Sequence, residues 1–157
     1  MSQFYSRAEL VLQRALWKRE GKTVVFTNGC FDLLHPGHVR LLEQARSLGD
    51  ILILALNSDS SVRRAKGPSR PLLPEKDRIE VALALEAVDA VTVFDEDLPR
   101  DLIAAVAPDM LVKGADWSHF VSGREEVEQS GGQVVTLPLE PGYSTTDLAR
   151  KILTDRP

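Results

Sequence analysis

The chain is poor in cysteine, with Cys30 the single example in 157 residues. An internal disulfide is excluded, and a reducing compartment is expected. No stretch approaches the roughly 18 apolar residues of a membrane span. The first ten residues, MSQFYSRAEL, lack the apolar run of a signal peptide. Positive charge is not in excess either, since the formal net charge is −4. Such a surface does not advertise nucleic-acid or membrane binding, and an anionic ligand would have to be met by local cations. Internal repeats and low-complexity segments are missing as well. A soluble, cytoplasmic, single-domain protein is expected, long enough to bury a sizeable core.

What is present is a rhythm of strands and helices. Ser6 and Glu9 form a capping-box pattern ahead of Leu10, Leu12, Ala15 and Leu16, which predicts a helix ending near Gly21. Residues 1–21 are thus read as an N-terminal helix and 22–157 as the main domain. Strands are expected at 23–28, 51–57, 90–94, 110–113 and 133–137, rich in β-branched and apolar residues. Helices are expected at 37–48, 74–87, 98–107, 122–129 and 144–153. This alternation predicts an α/β fold: a Rossmann-like, doubly wound, five-stranded parallel sheet with helices on both faces. The segment 63–74, RRAKGPSRPLLP, is expected to be a flexible, cation-rich loop.

In such a sheet, ligands bind beyond the carboxyl ends of the strands, near the point where strand order reverses. The stretch TNGCFDLLHPGH, residues 27–38, lies just after the first core strand. Gly29 permits a tight turn and close backbone approach. The helix opened by Pro36 and Gly37 offers free N–H groups and a positive dipole end to phosphate. His35 and His38 flank that entrance, where imidazole N–H groups can stabilise charge on phosphoryl oxygens. The blander readings are a chance pair or a partial zinc site recruiting Cys30, although no CxxC or further histidine completes a set.

The segment GCFDLLHPGHVRLLEQARSLGD resembles the signature of the HIGH-motif, cytidylyltransferase-like nucleotidyltransferases. With LGDILILALNSDSSVRRAKGPSRPLLPEKDR, LEAVDAV, PDMLVKGADW and STTDLARKI, the chain is similar to the adenylyltransferases of bacterial ADP-heptose synthesis, in their stand-alone form. The resemblance covers nearly everything from Lys22 to Leu153. It implies transfer of AMP from ATP to D-glycero-β-D-manno-heptose 1-phosphate, with Mg²⁺, releasing pyrophosphate. It implies that His35, His38, Lys66 and Arg78 are catalytic. Asn28, Gly29, Cys30, Phe31, Gly37, Lys113, Ser144, Thr145 and Thr146 would bind the nucleotide. Asp32, Arg70, Asp116 and Trp117 would bind the sugar phosphate. Metal ligands are not assigned. A homodimer is implied, as is a separate heptose kinase upstream; nucleic acid and membrane are not expected partners. Many relatives carry an arginine shortly before the Ser144 position, where this chain has Pro141, Gly142 and Tyr143.

Several residues carry two readings. Asp32 either contacts acceptor hydroxyls or caps the turn. Lys113 either binds an anion or pairs with Asp116. Trp117 either walls the acceptor pocket or packs. Arg63 and Arg64 either join the phosphate site or form a solvated face. Asp95, Glu96 and Asp97 read as a solvated loop ahead of a metal contact, Cys30 as a packing residue, and His119 as surface. Two rival functions stand beside the adenylyltransferase: a cytidylyltransferase acting on glycerol 3-phosphate or a similar small phosphate, and a non-catalytic nucleotide-binding module.

Overall fold

The computed structural model describes residues 1–117 and 120–155, the side chain of Trp117 excepted; His119 lies outside the described residues. Elements follow in the order β1 (Gln3–Phe4), α1 (Arg7–Arg19), β2 (Val24–Gly29), α2 (Pro36–Arg46), β3 (Ile51–Asn57), α3 (Asp59–Lys66) and α4 (Glu75–Leu83). They continue with β4 (Ala90–Phe94), α5 (Arg100–Val106), β5 (Met110–Gly114), a 3-10 turn (Ala115–Trp117), α6 (Arg124–Gln129), β6 (Gln133–Leu137) and α7 (Thr145–Thr154).

The strands form one parallel sheet in the order β1-β4-β3-β2-β5-β6. Side chains alternate between two apolar layers, as the pleat requires. Val24, Phe26, Ile53 and Ala55 face Leu10 and Trp17 of α1 and Leu102 and Ile103 of α5. Val25, Leu52, Leu54 and Leu56 face Leu42 and Ala45 of α2 and Ala82 of α4. The α/β, Rossmann-like, doubly wound fold expected from the sequence is the one observed, with α1 contributing to the same core.

Three aspartates set the register from the amino ends of the strands. Asp50, Asp89 and Asp109 each stand immediately before a strand. Their carboxylates accept the backbone N–H of Thr23, Leu52 and Val24 respectively, each at 2.8 Å. Their own N–H groups donate to the carbonyls of the same three residues at 2.8, 3.0 and 2.9 Å. Each carboxylate thus stands in for the carbonyl of one more ladder rung, and at Val24 and Leu52 it satisfies a donor that burial would otherwise penalise.

The structure corrects the expectation in three places. The sheet has six strands rather than five, because Gln3–Phe4 pairs with Ala90–Val91. Two exposed residues carry no alternation to betray a strand. Residues 63–66, expected to be loop, form the end of α3. That helix is capped by Ser58 and has one buried apolar side chain, Val62, so it writes no periodic stripe. Helix α4 ends at Leu83 rather than residue 87. Leu85 and Val88 then close i+3 turns that bury Val88. Among the described residues, no helix is long and apolar enough to cross a membrane.

Candidate active site

The sheet reverses its strand order between β2 and β5, and there the two strands part. Their pairing comprises Val25 with Met110 and Phe26 with Leu111. The Thr27 hydroxyl then donates to the Val112 carbonyl at 3.0 Å in place of a further rung. On its other side β2 stays paired with β3 as far as Gly29. A crevice therefore opens at the carboxyl ends of β2 and β5, where this class of sheet binds ligands. Asn28, Gly29 and Cys30 lie on one side of it and Lys113 and Gly114 on the other. The Asn28 side-chain oxygen is buried there without a hydrogen-bond partner.

The turn after β2 is built around Phe31. Its φ of 46° is left-handed, an uncommon and strained conformation for a bulky side chain. The buried ring folds back over Gly29, where a Cβ would sit 2.8 Å from it. The same ring meets His38 at 5.0 Å. Asp32 follows, almost wholly buried. Its oxygens accept the N–H groups of Leu72 and Leu73 at 2.8 and 2.9 Å, and Arg70 approaches to 3.7 Å. Asp32 and Arg70, expected to touch the sugar phosphate, are here engaged with each other and with the loop between α3 and α4.

The two histidines come together at the start of α2. Their rings stack at 3.9 Å with an interplanar angle of 24°. His38 Nδ1 accepts the backbone N–H of His35 at 3.3 Å, which caps the helix. Burial, reinforced by the nearby His35 and Lys66, lowers the His38 pKa to about 4. The neutral ring therefore carries its proton on Nε2, aimed away from the cap. His35 is also held below its ordinary pKa by burial. Its Nδ1 is enclosed without a partner, leaving Nε2 to meet a ligand. Facing rings do not converge their lone pairs on a common ion. Among the described residues, no three of His, Cys, Asp and Glu gather to hold a metal. Gly37 has no room for a side chain, because a Cβ would sit 2.9 Å from His35 and 3.1 Å from Tyr143 Cβ.

The cations divide into two kinds. Arg78, expected to contact phosphate, is enclosed instead. Its Nε donates to the Leu73 carbonyl, Nη1 to the carbonyls of Cys30 and Asn57, and Nη2 to the Asp59 carboxylate, at 2.8–3.1 Å. With its side chain 0% exposed, Arg78 acts from beneath the site rather than within it. Lys66 and Lys113 both lie near enough to Cys30, beside the crevice, to act on its thiol. Lys66 is exposed at the end of α3 and lies near enough to His38 and Cys30 to influence both. Burial lowers the Lys113 pKa to about 8, only partly offset by Asp116 and Cys30. Lys113 and Asp116 form no ion pair among the described residues. Arg64 is bound to Asp97 and the Asp95 carbonyl, and Arg7 to Glu96, so the acidic run after β4 is structural. Burial raises the pKa of the Cys30 thiol, which leans on Asn57 Oδ1 at 3.7 Å, so it is a poor nucleophile.

The N-terminus of α7 closes the site. The Ser144 hydroxyl caps it by accepting the Asp147 N–H at 3.2 Å, and Thr145 donates to the Leu33 carbonyl at 2.8 Å. Thr146 is exposed on the first turn. Asp116 and Trp117 lie on the 3-10 turn after β5. Tyr143, noticed in the sequence only as standing where relatives have arginine, stacks on His35 at 5.7 Å. No spacing rule signals that contact, because the two residues meet only in the fold.

The model of the cytidylyltransferase-like family matches residues 26–151. The bifunctional protein HldE of Syntrophotalea carbinolica is 56% identical over 137 residues, covering 87% of this chain and 28% of that protein. HldE of Koribacter versatilis is 52% identical over 147 residues, covering 93% of the chain and 30% of the relative. The chain thus spans under a third of the length of these curated relatives. The crystal structure of the lipopolysaccharide core biosynthesis protein of Thermoplasma volcanium superposes with a TM-score of 0.63 at 27% identity, covering 76% of this chain and 98% of that one.

Two outcomes are expected from this geometry. Asp32→Asn should cost about 1–3 kcal/mol in urea denaturation, because an amide cannot accept from both Leu72 and Leu73. Hydrogen exchange at those two amides should quicken with it. Tripolyphosphate affinity, measured by calorimetry, should fall between pH 7 and 9 as Lys113 loses its proton near 8. Lys113→Arg, which stays charged, should flatten that dependence; an unchanged slope would remove Lys113 from anion binding.

Proposed function

The chain belongs to the cytidylyltransferase-like family, and we propose that it transfers AMP from ATP to D-glycero-β-D-manno-heptose 1-phosphate. The products are ADP-heptose and pyrophosphate. The observation that carries this proposal is the neutral, stacked pair His35 and His38 at the mouth of the β2–β5 crevice. Two Nε2 positions there flank the N-terminus of α2.

A phosphate oxygen of the sugar attacks the α-phosphorus of ATP. A P–O bond forms, the bond to the β-phosphate oxygen breaks, and pyrophosphate leaves with the electron pair. The acceptor supplies its own nucleophile, so the inert Cys30 thiol is no obstacle. The protein's task is to orient two anions and stabilise charge on the α-phosphoryl oxygens and the leaving group. His35 and His38 donate from Nε2, and Lys66 and Lys113 hold phosphates from the ends of α3 and β5. Mg²⁺ would neutralise charge on the nucleotide. It usually keeps waters and substrate phosphates as ligands, which suits a site without a carboxylate cluster.

The acceptor and base assignments draw support from the KGPSRPLLP and LVKGADW segments. They draw support too from the identity to HldE proteins and the likeness to a lipopolysaccharide core biosynthesis protein. The proposal includes a cytoplasmic location and an upstream kinase that supplies the sugar 1-phosphate. It also includes a homodimer, for which α7 offers Leu148, Ile152 and Leu153 exposed and no buried residue.

Pyrophosphate release with ATP, CTP, GTP and UTP against heptose 1-phosphate and glycerol 3-phosphate tests the assignment. ATP with the heptose should give the highest kcat/KM. A higher value for CTP would favour the cytidylyltransferase, and no turnover with any pair would favour a binding module. His38→Ala should lower kcat by roughly 100- to 1000-fold, the usual loss for one preorganised donor. A well-folded His38→Ala protein with wild-type kcat would end the catalytic assignment.

A further inference from the structure

We propose that Tyr143 is a positioning residue for His35: its ring, stacked on the imidazole and backed by Arg40, fixes the plane in which His35 meets the reacting phosphate. This rests on the reading of the histidines as phosphate donors and adds to it a residue outside the motif.

The two histidines are held differently. His38 is oriented by the hydrogen bond that its Nδ1 accepts from the His35 amide. His35 faces the His38 amide across the same capping box but closes no full hydrogen bond with it, so its enclosed Nδ1 has no partner. Its ring plane is therefore set by packing. The packing is a row of rings: Phe31 tilted by 44° at 5.0 Å from His38, His38 stacked at 3.9 Å from His35, and His35 stacked at 5.7 Å from Tyr143. The His35–Tyr143 planes differ by 16°, closer to parallel than the two imidazoles. The Arg40 guanidinium lies over the Tyr143 ring, 5.6 Å from its centre, and Arg40 also pairs with Glu140 at 3.1 Å. Both His35 and Tyr143 rest against Gly37, which has no space for a Cβ. The Tyr143 hydroxyl makes no hydrogen bond among the described residues, so the face of the ring is what matters. Because Tyr143 immediately precedes the α7 cap Ser144, the stack also ties the start of α7 to the histidine pair.

The test uses Tyr143→Phe, Tyr143→Leu and Tyr143→Ala in the full chain. Pyrophosphate release should be near wild type in Tyr143→Phe, which keeps the face. It should fall in kcat by up to about 100-fold in Tyr143→Ala, the scale reached when a reacting group is misplaced by roughly 1 Å. Tyr143→Leu, which restores bulk without a flat face, should stay impaired. KM for ATP should change less than kcat in each.

A second readout needs no substrate. NMR titration of ¹³C-labelled histidine should show His35 below its ordinary 6.5 in the wild type, held there by burial. It should move up in Tyr143→Ala as water reaches the ring. The charged or titratable groups around His35 are His38 on α2, Arg40 and Glu140 beyond Tyr143, and Lys66 from α3 acting on His38. Tyr143 is neutral among them, and its removal changes solvation rather than charge. Wild-type kcat in Tyr143→Ala, loss in Tyr143→Phe equal to that in Tyr143→Ala, or an unmoved His35 titration would each overturn the proposal. If the wild type turns over no nucleotide at all, the reading of the site fails, and the titration still decides the role of Tyr143.

Discussion

Arg78 lies in the interior, and four segments converge on it. The end of β2 offers the Cys30 carbonyl, the end of β3 offers that of Asn57, α3 offers the Asp59 carboxylate, and the loop before α4 offers the Leu73 carbonyl. A buried guanidinium is tolerated only when its donors are met, and removing one side of such a network typically costs about 3–5 kcal/mol. The site is arranged around that requirement. Asp32 accepts the N–H of Leu73 while Arg78 donates to its carbonyl, so a single residue is held through both of its flanking peptide groups. The loop that follows Lys66 is thereby fixed to the turn that carries the histidines.

Charge and hydrogen bonding are divided between different residues. The imidazoles are kept neutral by burial, which makes them donors of fixed direction rather than mobile cations. Positive charge comes from Lys66 and Lys113 at the edges of the crevice and from Arg78 below it. A protein of net charge −4 can in this way present a local field suited to polyphosphate, since nearby charge outweighs the distant, screened remainder.

The sheet was legible in the sequence because each core strand is a short run of β-branched and aliphatic residues between polar turns. The position of the histidines was legible too, since Gly29, Pro36 and Gly37 mark a strand, a turn and a helix start. What escaped the sequence depends on partners distant along the chain. Arg78 and Lys66 look alike as cations near a proline-rich turn, and only the fold shows one enclosed by carbonyls and the other exposed. Asp32 was read as contacting acceptor hydroxyls or capping its own turn, and the amides it accepts lie 40 and 41 residues away. Tyr143 was visible as a departure from the pattern of relatives, but its stacking on His35 required both ends of the chain to be in place. The Asp50, Asp89 and Asp109 staples form a recurring aspartate-then-strand pattern that could be seen in the letters, though not what each carboxylate accepts.

Asp109 binds the amino end of β2 to that of β5 through a reciprocal pair of hydrogen bonds, while beyond Phe26 and Leu111 the same strands share no backbone pairing and only the Thr27 hydroxyl reaches across, to the Val112 carbonyl. The two strands thus behave as ribs of a fan, pinned at the handle and spread at the rim. A lever pinned at one end converts a small tilt at the pivot into a larger displacement at the tip. The spacing between Asn28 and Lys113 is therefore governed in part by a carboxylate at the far end of the sheet. A substitution at Asp109 would therefore act on the width of the mouth without touching any group that lines it.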